Sequence, residues 1–326
     1  MTALVLAIVL GCLLLFTGWA GPRLLRRAAP SLARTPRLSI ALLSLAVISW
    51  SAAAVALGPL LAWAGSGPQL LPESASLVCT RCLQAASPFG AGTINRLLPA
   101  SILLAIAAGL LVSMIVTAVI RAARVRNSTK QLAASVRARG TQAILQGTPV
   151  TIVPGEQPLA FALPARYGGI VLSASTVSEL DAHELRSVLA HERAHLNQRH
   201  HLISEFLAVW RVIFGWVPAI RSACQYIDDC MEIAADDVAC KEQNPRALAG
   251  ALLKLGTAPN HASLAGAQVS ILNAAGLGRI AHLVSPRPQK TQTGALLLVS
   301  LPMLALGLIS LSILWPYASL LITGCL

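Results

Sequence analysis

Acidic residues are scarce in this 326-residue chain: 13 Asp and Glu stand against 25 Lys and Arg. Their placement is more telling than their number. Glu73 is the only carboxylate side chain before Glu156, and none follows Glu242. The N-terminal third therefore holds no pair of acids for general acid–base work or metal ligation. Charged residues make up only 12% of the chain and aromatics 4%. An ordinary soluble protein carries about 25% charged residues, so this composition excludes a freely soluble globular protein. The net charge of +12 is accompanied by no nucleic-acid-binding motif. Basic residues beside apolar runs anchor to anionic headgroups, so lipid, not nucleic acid, is the expected partner of the positive charge. Internal repeats and low-complexity tracts are also missing.

What the chain has in abundance is apolar sequence: 55% hydrophobic residues and a mean hydropathy of +0.68. Long runs cover Leu4 to Ala20, Ile40 to Ala64 and Ile102 to Ile120, and a fourth runs from Gly294 to Leu326. A span needs about 20 apolar residues. No Lys or Arg precedes the first run, which reads as a retained anchor and not a signal peptide. Arg23, Arg26, Arg27, Arg34 and Arg37 follow the first run, and Arg121, Arg124, Arg126, Lys130, Arg137 and Arg139 follow the third. The segment 65–99 has only Arg81 and Arg96. The positive-inside rule then puts the N-terminus outside and residues 121–292 in the cytoplasm. The expected fold is mainly α and integral to the membrane. Residues 1–120 form three transmembrane helices, 121–292 a cytoplasmic α+β unit, and 293–326 a last span.

Nearly all the acids fall inside that cytoplasmic unit, and two groups of residues there carry chemistry. One is His191-Glu192-Arg193-Ala194-His195; the other is Glu232-Ile233-Ala234-Ala235-Asp236. On a helix, positions i and i+4 share a face. His191 and His195 can thus aim two imidazoles at one cation. Glu232 supplies a third ligand from a second helix, and Asp236 an acceptor that orients a histidine. Three protein ligands with one open position describe a catalytic zinc site, not a structural one. Glu192 is placed to act as general base. Asp181 and Glu184 form a capping-box pattern that predicts a helix over about 182–200. Ile227, Met231, Ala234, Ala235 and Val238 mark the second helix.

The surrounding sequence offers competitors. His201 follows His191 by ten residues, the metzincin spacing, but that pattern needs a Gly where Gln198 stands. An unbroken helix would leave His201 about 15 Å along the axis. His183, His200 and His282 read as solvated or capping side chains. No residue is readable as the oxyanion stabiliser: Arg279 and His261 lie downstream and could reach, but each reads as an ordinary surface or structural residue. Cys224, Cys230 and Cys240 fit no zinc-knuckle spacing and read as buried free thiols. Cys79 and Cys82, a CxxC in the outward segment, read as a small disulfide. Residues 21–38 read as a basic loop and 121–146 as a helix continuing the third span. Runs at 150–153, 159–163 and 170–173 predict a small sheet before the first histidine, whose edge could pair with an extended peptide. Residues 203–220 read as a core or membrane-hugging helix interrupted by Glu205 and Arg211.

The stretch Val188-Leu189-Ala190-His191-Glu192-Arg193-Ala194-His195-Leu196 resembles the BlaR/MecR-type membrane zinc metallopeptidases, the antirepressor family, in which an Arg commonly follows the His-Glu pair. The strand Gly169-Ile170-Val171-Leu172-Ser173 before it and Glu232 to Asp236 after it fit in order. The resemblance covers about 150–290 and the spans in outline. It implies a gluzincin-like domain with spans on both sides, zinc on His191, His195 and Glu232, and Glu192 as base. It further implies signal-triggered cleavage of a cytoplasmic repressor, or of the protein itself. Antibiotic-sensing members carry a penicillin-binding domain after the last span. No S-x-x-K nucleophile follows Gly294 here, so acylation by a β-lactam is not expected. Two other readings compete. One is a quality-control protease of the HtpX or prenyl-protease type, whose members usually lack the Arg. The other is a zinc-stabilised signalling scaffold.

Overall fold

The computed structural model describes residues 2–66, 100–256 and 293–323, and these are mainly helical. Two long helices, α1 (Thr2–Leu32) and α2 (Pro36–Ser66), run antiparallel. They meet in a tight turn where Ser39 Oγ donates to Leu32 O at 2.8 Å. The expected basic loop over 21–38 is therefore a correction. Most of it is helix, because Leu25, Ala28 and Leu32 are buried against other helices and the arginines project from the remaining faces. The third helix, α3 (Ala100–Arg139), is the longest among the described residues. These three are long and apolar enough to cross a membrane. The C-terminal helix, labelled α9 (Thr293–Thr323), packs on α2 and α1 and contains a shorter apolar segment, Ser300–Trp315.

A four-stranded mixed sheet follows α3: β1 (Thr141–Leu145), β2 (Thr148–Val153), β3 (Ala160–Ala162) and β4 (Ile170–Ser173), in the order β1-β2-β4-β3. β2 and β4 are parallel; the outer pairs are antiparallel. The helix expected over 121–146 stops at Arg139, and its last residues become β1. Gln146 and Gly147, with φ of 52° and 75°, make the two-residue turn that twists a hairpin into β2. The other strands fall where β-branched and apolar residues cluster.

The sheet is covered on both faces, which is why all of β4 is buried. Val171 and Phe161 pack against Ala133 and Val136 of α3. Ile170 and Leu172 pack against two helices on the other side, α5 (Ala182–Asn197) and α8 (Pro245–Gly256). A short helix, α4 (Ala174–Glu179), links β4 to α5.

Two further helices form a hairpin: α6 (His200–Phe214) and α7 (Pro218–Glu242). Residues 203–220 are thus a helix, a turn and the start of the next helix. The hairpin packs against the long apolar helices. Trp210 Nε1 donates to Ser51 Oγ at 2.7 Å, and the Phe214 ring meets Trp50 edge-on at 5.6 Å. A side chain on Gly21 of α1 would begin 2.5 Å from Ala219 Cβ, so glycine permits the closest α1–α7 approach. One continuous core joins α1, α2, α6, α9 and α7 as far as Met231.

Candidate metal centre

The geometry of the centre begins at the start of α5. Asp181 accepts from the backbone N–H of His183 and Glu184, at 2.7 and 2.9 Å, and Glu184 accepts in return from Asp181 N at 2.9 Å. This reciprocal cap sets the phase of the helix. Leu185, Val188 and Leu189 then face the sheet, while His191 and His195 turn toward α7. On α7, Ile227 and Met231 are buried against the long apolar helices, which rotates Glu232 and Asp236 toward the histidines.

Three donor atoms converge. His191 Nε2 lies 3.0 Å from His195 Nε2 and 3.6 Å from Glu232 Oε2; His195 Nε2 lies 3.6 Å from Glu232 Oε1. A tetrahedral zinc with bonds of 2.0–2.1 Å holds its ligand atoms about 3.3 Å apart. The observed separations bracket that value, so the donor set fits such a cation. His191 is fully buried; the His195 and Glu232 side chains are 11% and 16% exposed. Glu192 is fully buried beside them.

Each histidine is held from behind by a different group. His191 Nδ1 lies 2.9 Å from Asp236 Oδ1, itself buried. His195 Nδ1 lies 2.7 Å from His200 Nδ1. The second partner is a correction, because His200 is buried and not solvated. The helix ends at Asn197, and Arg199 takes a left-handed backbone with φ of 53°. A break therefore occurs without the glycine that spacing alone demanded, and it turns His200, not His201, back onto His195. Among the described residues, His201 is not grouped with the metal donors.

The electrostatics separate the two histidines. Burial opposes charge on His191, yet the Asp236 and Glu232 carboxylates outweigh it and raise its pKa from 6.5 to about 9. Burial pushes His200 down to about 4, so its ring is neutral at pH 7. A neutral His200 carrying its proton on Nε2 accepts from His195 Nδ1–H. Only that tautomer leaves the His195 Nε2 lone pair facing the other donors.

Arg193 points away from the donors. One of its terminal nitrogens donates to Thr148 Oγ1 on β2, and the other lies 3.4 Å from Glu242 Oε2 at the end of α7. Cys224 and Cys230 are buried free thiols and Cys240 is partly buried. His183 is exposed. Arg279, His261, His282, Cys79 and Cys82 lie outside the described residues. His200 could have been found in the sequence only by allowing a helix break at a non-glycine residue.

The protein family described as BlaR1 peptidase M56 matches residues 73–281, more than half of the chain. No curated protein and no solved structure matches.

Proposed function

The chain belongs to the BlaR1 peptidase M56 family, a family of membrane-bound metallopeptidases, and from that premise we propose that it is a zinc endopeptidase cutting a cytoplasmic protein. The observation that carries this reading is the convergence of His191, His195 and Glu232 beside buried Glu192. These three residues would hold Zn2+, which when bound supplies a Lewis acid and a water with its pKa lowered to about 7. Glu192 would take the proton of the attacking water and pass it to the leaving amine. Asp236 and His200 would keep the Nδ1 protons of His191 and His195 in place and so leave both Nε2 lone pairs directed at the centre.

The sheet suggests how a peptide is presented. In the β3–β4 pair, Ser173 N donates to Leu159 O and Leu163 N to Gly169 O, both at 2.8 Å. Alternation along an antiparallel pair turns the N–H and C=O groups of Ala160 and Ala162 outward. β3 is an edge strand and packs on α5. An extended substrate would add there as a further strand. The Arg distribution supports a multi-pass protein with this unit in the cytoplasm, and the family supports a transcriptional repressor, or the chain itself, as substrate.

Glu192→Gln tests the reading. Zinc content should be unchanged, and one cytoplasmic fragment should vanish when the proteomes of wild-type and variant cells are compared. Identical proteomes with zinc retained in both would leave only a metal-stabilised scaffold.

A further inference from the structure

We propose that the α6–α7 hairpin is inserted into the membrane, with its tip at 215–218 in the boundary between headgroups and acyl chains and lipid as the partner of Trp216 and Arg221. The hairpin cannot be a span. α6 runs His200–Phe214, about 22 Å of helix at 1.5 Å per residue, against about 30 Å of hydrocarbon. It nevertheless lies along helices that are long enough.

Four contacts locate the tip. Trp210 bonds Ser51, Phe214 meets Trp50, Val217 Cγ1 is 3.5 Å from the position of a Cβ on Gly18, and Ala219 closes on Gly21. The tip is therefore level with Gly18 to Gly21 of α1. There the apolar run from Leu4 to Ala20 gives way to Arg23, Arg26 and Arg27. At that level Trp19 is exposed, with the Arg23 guanidinium 4.3 Å above its ring. Trp216 is 73% exposed at the hairpin turn, and Val212, one turn back on α6, is exposed as well. Indole rings with arginine beside them are the chemistry of the bilayer interface.

The charges of the hairpin agree. Arg211 on α6 pairs with Asp228 on α7 and donates to Cys224 O, so the ion pair is closed within the hairpin. Arg221 is exposed, and its Nε donates to Gly215 O at 2.9 Å. Its terminal nitrogens are left for a phosphate. Lipid, and not a second copy, is the occupant because Val217 of the tip lies against Gly18 of α1, the helix on which Val5, Ile8, Leu15, Phe16 and Trp19 are exposed.

The placement fixes a height. From Val217 to Glu232 is about 22 Å of α7 at 1.5 Å per residue, so the donors stand roughly that far from the interface. It is independent of what the metal site does. The test uses the full-length protein in phosphatidylcholine–phosphatidylglycerol vesicles, with Trp216 isolated as the fluorescence difference between wild type and Trp216→Phe. That difference should be quenched more strongly by lipids brominated near the headgroup than by lipids brominated near the chain end. It should not respond to aqueous iodide. Quenching by iodide alone would put the tip in water. Protection from both quenchers would put it in a protein contact. Either result overturns the proposal.

Discussion

The core around the long apolar helices and the core around the sheet are built differently. The first is made of helices alone, filled by Leu, Ala and Trp50, and takes in α7 from Ala219 to Met231. The second layers strands between helices and takes in α5 at Leu185, Val188, Leu189 and Ala190. Helix α7 reaches it only near its end, at Ala239. The helical core thus orients Glu232, and the sheet core orients His191 and His195. The three donors come together only while the two cores stay docked, so the centre reports on their relative position.

Pushing the helical core away from α7 should have the largest effect. Gly21→Leu would drive a side chain into Ala219, and bound zinc should be lost from the purified protein. Gly11→Leu is the control on the same helix, since nothing lies within 4 Å of a Cβ there; its zinc content should match wild type. If Gly21→Leu keeps its metal, the cores are not coupled through α7.

Cavities in the two cores should differ in kind. Ile227→Ala and Leu172→Ala each empty a site that is 0% exposed and should each cost about 2–5 kcal/mol on unfolding. Under native conditions, Ile227→Ala should also weaken zinc binding, whereas Leu172→Ala should not. Equal zinc affinities in chelator competition would count against the division of labour between the cores.

The groups behind the histidines should matter less, and alike. Asp236→Asn and His200→Ala should each weaken zinc binding about 10–100-fold. His200→Asn, which keeps an acceptor, should recover part of the loss. Wild-type affinity in His200→Ala would show that His195 needs no such support.

The smallest effect is a proton. His191, with its pKa raised to about 9, is charged at pH 7.5 without a cation. Zinc uptake there should release about one proton, seen calorimetrically as a dependence on buffer ionisation enthalpy. Affinity should fall as pH drops below about 9. In the metal-free protein the sign is opposite. The ion pairs of His191 stabilise the fold fully below about pH 6.5 and lose that contribution as pH rises through about 9.

Much of this arrangement was legible in the chain before any coordinates. Helical spacing and a local cap bring His191, His195, Glu232 and Asp236 to facing sides of two helices, and those are short-range properties. β1 was not legible: Thr141 to Leu145 continue a basic, Ala- and Gln-containing stretch, and only pairing with β2 makes them a strand. His200 escaped because the left-handed Arg199 is an uncommon conformation for a residue with a side chain. The apolar run of α2 was legible as a helix long enough to cross a membrane; what was not legible is that Ile40, Leu43 and Val47 are buried in the core that α7 shares.

The guanidinium of Arg193 holds Thr148 with one nitrogen and reaches Glu242 with the other, so it ties the β1–β2 hairpin to the far end of α7. A lysine has one ammonium on a flexible stem and no fork; it could engage either neighbour but not both. Conservation of charge alone would then fail at this position. An engineer exchanging basic residues to improve expression should treat Arg193 as a crossbeam and leave it in place.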